Sequence, residues 1–152
     1  MKIILSIFLF LAFSAVGFSQ IPNPNYNKKL ADSLGTAPNG MRMYTFVILK
    51  TGPAIIDNKH VLDSLFTGHM NNIKRLAKEN KLIVAGPFEK NLKNYRGLFI
   101  FTVNNMEEVN QILQTDPAIH AQIFETEVYQ WYGSAALPLY VPFHDQLCKF
   151  KQ

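Results

Sequence analysis

Cys148 is the chain's only cysteine, so no disulfide can form within it and packing must carry the fold. That thiol is expected either to pair between chains or react, or to sit as a small apolar group under Leu147 and Phe150. Also missing are the local signatures of the most readily recognised enzymes. There is no phosphate-cradling glycine loop, no His-Glu-x-x-His helix, no cysteine pair for zinc and no Gly-x-Ser-x-Gly elbow. His60, His120 and His144 share no ligand spacing with His69, so neither a metal nor a cofactor is expected. Such absences leave open any chemistry carried by one histidine and one carboxylate that folding brings together.

Charge is modest as well, a formal +4 over 152 residues. Basic residues crowd positions 74, 75, 78, 81, 90, 93 and 96, but their helical members fall opposite the apolar stripe, where a solvated face is the ordinary outcome. No nucleic-acid partner is expected.

What the sequence does carry begins with an address. Lys2 precedes an apolar run over residues 3–13 broken only by Ser6, and Gly17 and Ser19 supply the small residues of a cut before Gln20. The run is shorter than the roughly 20 residues a spanning helix needs, and the Pro-Asn-Pro-Asn stretch after Ile21 breaks a helix. A signal peptide over residues 1–19 is therefore expected. The mature chain of 152 − 19 = 133 residues would be periplasmic or secreted, hold no membrane segment and form one domain.

Residues 20–42, rich in Asn, Pro and Gly with a helix-like fragment at 28–34, read as a linker. The folded domain is expected at 43–134, and residues 135–152 form a C-terminal tail. A β-branched and aromatic run at 43–50 predicts the first strand, ended by Thr51-Gly-Pro53. A short helix is predicted over 57–66 and a longer one over 68–80, capped by Thr67. Leu65, His69, Ile73 and Leu76 share its apolar face, and Asn72, Lys74, Arg75 and Lys78 fall elsewhere. Strands follow at 82–85, stopped by Gly86-Pro87, and at 97–103. A helix capped by Asn104 or Asn105 carries Glu107 and Glu108 in its first turn and stops at Asp116-Pro117. The last strand spans 124–132, closed by Gly133.

This order, β-α-β-β-α-β, is the ferredoxin-like α+β arrangement, an antiparallel sheet with both helices on one face. The first and third strands are apolar on both alternating faces, so the face without helices must also be covered, and a second copy would do so as a two-fold homodimer. Glu125 and Glu127 on one face mark the last strand as an edge.

The run from His69 to Pro87, then Arg96-Gly-Leu-Phe-Ile-Phe101, Asp116-Pro-Ala118 and Glu127-Val-Tyr-Gln-Trp-Tyr132, together resemble the YciI-like (YCII-related) family over about residues 43–134. The resemblance implies a dimeric ferredoxin-like α/β barrel related to muconolactone isomerases and to a dehydrochlorinase of chlorinated hydroxyquinols. It also implies a His-Asp pair, here His69 and Asp116, in a pocket between sheet and helices. This chain departs from the pattern with Asn80, where a glycine commonly ends the first helix, and with its signal peptide and tail.

The residues support two readings of the pair. A carboxylate beside a histidine fixes its tautomer and stabilises its charged form, which suits proton abstraction beside a carbonyl or loss of a leaving group. Equally, a histidine on an apolar face can be a hydrogen-bonded core residue, and Asp before Pro commonly ends a helix. A position near the helix start would oppose the charge on His69 and Asp116 would favour it. Gly86 and Pro87 are expected to line the same pocket, with Phe88 as a wall, and Arg96 either holds a ligand carboxylate or sits on the surface. An isomerase- or lyase-like enzyme acting on a small organic molecule is the leading expectation; a noncatalytic ligand-binding or interaction module is the alternative.

Overall fold

The computed structural model describes residues 21–147 and residue 149. The expected signal at 1–19 and the surroundings of Cys148 lie outside the described residues. Among the described residues no helix is long and apolar enough to cross a membrane.

Helix α1 (Lys28–Leu34) precedes strand β1 (Met41–Thr51), so the last two residues of the expected linker already belong to the sheet. Helix α2 (Lys59–Lys78), strands β2 (Leu82–Pro87) and β3 (Tyr95–Phe101), helices α3 (Met106–Gln114) and α4 (Pro117–His120) and strand β4 (Phe124–Ser134) follow. A 3-10 turn (Leu137–Tyr140) and helix α5 (Val141–Leu147) complete the described chain. The sheet order is β2-β3-β1-β4 with every neighbour antiparallel, so β1 and β3 are central and β4 is an edge. This is the ferredoxin-like arrangement. Alternation along the central strands sends Val47, Leu49, Phe99 and Phe101 toward the helices, where they pack with Leu76 and Val109 in the main core.

Two predicted helices are one. α2 runs through Thr67 without a break, because Asn58 is the cap, its side chain accepting from His60 N at 3.0 Å and Val61 N at 3.3 Å. The Thr67 hydroxyl instead donates back to Asp63 O within the helix. Gly68, which looked like a boundary, is a contact: a Cβ there would stand 2.8 Å from Pro117 Cγ. Asn80 takes the left-handed conformation, φ 55°, with Lys81 N donating to Leu76 O and Asn80 N to Ala77 O. It makes the left-handed turn that glycine commonly supplies at a helix end.

The face opposite the helices is partly covered by the chain itself. Tyr44, Ile83 and Ile100 are buried there, with Leu137 and Val141 of the C-terminal segment packed against them. The Tyr140 hydroxyl donates to Ile83 O on the free side of β2. Tyr129 and Trp131 of β4 remain exposed.

Candidate functional site

The site starts from the contact between α2 and α4. Because Gly68 carries no side chain, Pro117 can lie against the α2 backbone, and the next residues along each element, His69 and the preceding Asp116, are brought face to face. His69 Nδ1 is 2.7 Å from Asp116 Oδ2, and the two residues are 8% and 1% exposed. Asp116 is also the cap of α4: its Oδ1 accepts from Ala118 N at 3.0 Å and from Ile119 N at 3.3 Å. The predicted end of one helix is thus the start of another, and that capping role fixes the carboxylate's direction.

Both carboxylate oxygens are engaged in accepting, so the hydrogen between Asp116 and His69 belongs to Nδ1 and leaves the Nε2 lone pair of neutral imidazole unprotonated. Among the described residues no buried side-chain nitrogen or oxygen lacks a hydrogen-bond partner and none bonds His69 Nε2, so this nitrogen opens to the adjacent space. His69 lies in the middle of α2, away from the helix end that was expected to oppose its charge. Its ring packs beside Phe99 and Phe124, with centroids 6.0 and 5.3 Å away.

Behind the pair stands Asn72, which was expected off the buried face and is instead 8% exposed. Three residues beyond His69, it shares that side of the helix, and this spacing was the signal that could have found it. Asn72 Nδ2 reaches Asp116 Oδ2 at 3.5 Å, and its Oδ1 accepts from Arg75 Nη2 at 2.7 Å. The pair is therefore held from both sides.

His69 opens into a cavity of about 620 Å³. Phe66, Met70, Ile73 and Ala77 line it from α2, Leu49 and Phe99 from the sheet. Gly86, Pro87 and Arg96 line the same cavity. Gly86 and Pro87 are the last residues of β2, where the sequence had suggested that they stop it. Arg96 reaches the wall because the β1–β3 register slips between Leu49 and Lys50, leaving it as an extra residue in β3. Phe88 does not line the cavity; its ring lies beside Tyr95, centroids 6.2 Å apart. Tyr140, Val141 and His144 from the C-terminal segment complete the wall, a contribution for which the sequence pattern offered no signal. Among the described residues no group of three or more His, Cys, Asp or Glu side chains could hold a metal ion.

A ferredoxin-like domain whose sheet and helices enclose a cavity, with a buried His-Asp pair at its side, is the class this geometry defines. The YCII-related domain model matches residues 43–132, and the chain belongs to that family. Among solved structures it is similar to a 5-chloro-2-hydroxyhydroquinone dehydrochlorinase from Burkholderia phenoliruptrix AC1100, determined in complex with 2,5-dihydroxybenzoquinone. The likeness is 22% identity over 57% of this chain and 92% of that one, with a TM-score of 0.41. No curated protein matches the sequence.

Proposed function

We propose that this domain is a small-molecule enzyme of the isomerase or lyase type, exported as a homodimer, in which His69 is the proton-transferring base and Asp116 its positioning partner. The observation that carries the reading is the 2.7 Å contact that pins Nδ1 to a buried carboxylate while Nε2 opens into an apolar cavity. Nε2 takes a proton from a C–H of the bound molecule, and the electron pair of that bond moves into a neighbouring carbonyl or expels a leaving group. Asp116 stabilises the imidazolium so formed. Return of the proton to a different carbon completes an isomerisation; departure of the leaving group completes an elimination. Phe99 and Phe124 limit water around the reacting centre. Export rests on the N-terminal pattern, and the homodimer on the apolar and aromatic side chains that remain exposed on the sheet, among them Tyr129 at 50% and Trp131 at 38%. Light scattering on the purified chain tests the dimer.

The chemistry is tested by incubating the protein in D₂O with enolisable butenolides, hydroxylated aromatics and β-keto acids, and following loss of C–H signals by NMR. Exchange or turnover of one compound is expected, falling by roughly 10²–10⁴-fold in His69→Asn. A compound that perturbs the His69 ring signals, yet neither exchanges nor converts, would point instead to a binding module.

A further inference from the structure

We infer that the molecule taken by this cavity is a small organic acid, an apolar body bearing one carboxylate, and that Arg96 is the residue that holds the carboxylate. The inference rests on the proton-transfer reading of His69 and narrows it.

The wall is uneven in a way that selects a sign of charge. Its polar side chains among the described residues are those of His69, Arg96, Tyr140 and His144, none of them a carboxylate. The rest is aliphatic, aromatic or glycine. Arg96 also differs from the other two arginines, which are committed within the fold. Arg42 donates to Leu34 O and Thr102 O and lies over the Tyr44 ring, and Arg75 is held by Glu79, Asn72 and Thr115. The Arg96 side chain has no hydrogen bond, ion pair or ring contact among the described residues, yet it stands on the cavity wall.

Its position is built by the backbone. The register slip places Arg96 out of alternation, and Gly97 lets β2 approach so closely that a Cβ there would stand 2.9 Å from Gly86 O. A guanidinium offers a planar fork that matches one carboxylate. A phosphate dianion would carry a second negative charge against this single arginine. The cavity, at about 620 Å³, has room for such a ligand with its carbon skeleton against the apolar wall. Tyr140 and His144 lie beyond the matched family region, so part of this polar wall comes from the C-terminal addition.

The test is calorimetric binding of matched acid and amide pairs to the purified protein: 4-hydroxybenzoate with 4-hydroxybenzamide, cinnamate with cinnamamide, and 2-furoate with 2-furamide. The expected result is that at least one acid binds about tenfold more tightly than its amide, as a charge-assisted hydrogen bond would produce. Arg96→Gln should abolish the preference by weakening acid binding more than amide binding, and Arg96→Lys should restore part of it. If no acid binds more tightly than its amide, or if the preference persists in Arg96→Gln, the inference is overturned. Acid preference in a protein that catalyses no exchange sinks the proton-transfer reading alone. Exchange without acid preference sinks the carboxylate inference alone.

Discussion

Gly68 and Pro117 touch across the junction of α2 and α4, so closely that a Cβ at position 68 would lie 2.8 Å from Pro117 Cγ. The residue that follows the first is His69 and the residue that precedes the second is Asp116, so this contact sets the approach of the pair.

Gly68→Ala is therefore expected to weaken the protein where simple helix propensity says it should strengthen it. Alanine gains about 1 kcal/mol over glycine inside a helix. Forcing α2 away from α4 costs about 1–3 kcal/mol as overpacking. The expected net effect is destabilisation by up to about 2 kcal/mol, with the His69 Nδ1–H resonance moving or broadening as the bond to Asp116 lengthens. Urea unfolding and NMR of the ring protons measure both; a more stable protein with an unchanged ring signal would show that the contact does not set the geometry.

Asp116 has two duties, and two substitutions separate them. Asp116→Asn can keep an oxygen toward Ala118 N and Ile119 N, and asparagine caps helices about as well as aspartate. Its amide nitrogen then faces His69 Nδ1 as a donor, which drives the imidazole into the Nε2–H tautomer. Stability within about 1 kcal/mol of wild type is expected, with the tautomer reversed and proton transfer lost. Asp116→Ala removes the cap and leaves Nδ1 without an acceptor, at about 2–4 kcal/mol. Denaturation curves and long-range ¹⁵N–¹H spectra of the ring distinguish the cases. An unchanged Nδ1–H tautomer in Asp116→Asn would show that the carboxylate does not select it.

The fold was legible because the strands carry their own marks. The runs of β1 and β3, apolar on both alternating faces, required central positions, and β4 with Glu125 and Glu127 required an edge. The pairing of His69 with Asp116 was implied by family resemblance, since 47 residues of separation hide it from local pattern. What stayed hidden depended on tertiary packing. Gly68 looks like a helix boundary until Pro117 is beside it, Asn72 looks like a surface residue until Asp116 needs a second donor, and the placement of Tyr140 depends on a backbone carbonyl at Ile83. The bulge that turns Arg96 to the cavity is a mismatch between two strands, invisible in either one.

Asn80 holds φ at 55° in the closing turn of α2, which aims β2 back into the sheet. Most side chains resist this conformation by roughly 1–2 kcal/mol, and asparagine resists less. Asn80→Ala is expected to lose about 1 kcal/mol and Asn80→Gly to match or exceed wild type. Thermal melts measure the order, Gly at or above Asn and Asn above Ala. Equal melting of all three would mean that the turn relaxes away from the left-handed conformation.

The C-terminal segment makes the fold sensitive to alkali. Burial pushes the Tyr44 phenol above its ordinary value of 10.0, an effect that the Arg42 cation partly offsets, and burial likewise pushes the Tyr140 phenol up. The two hydroxyls donate to Ser134 O and Ile83 O, on either side of the face that Leu137 and Val141 cover. In the unfolded chain these phenols ionise near 10.0, whereas in the fold they keep their protons to higher pH. Above that point the unfolded state binds fewer protons than the native state, so stability falls as pH rises. This contribution is fully present below pH 10.0 and lost as the pH passes through the raised native values. Tyr129, raised by its hydrogen bond to Glu127, titrates in the same direction and is left unchanged in the comparison. Urea midpoints measured from about pH 8 to 11 should drop less steeply in Tyr44→Phe and in Tyr140→Phe than in wild type. Tyr140→Phe should in addition loosen α5 from β2 and raise amide hydrogen exchange over residues 137–147. Identical alkaline slopes in all three proteins would remove the phenols from the account of alkaline unfolding, and unchanged exchange in Tyr140→Phe would show that Leu137 and Val141 hold the segment without the hydroxyl.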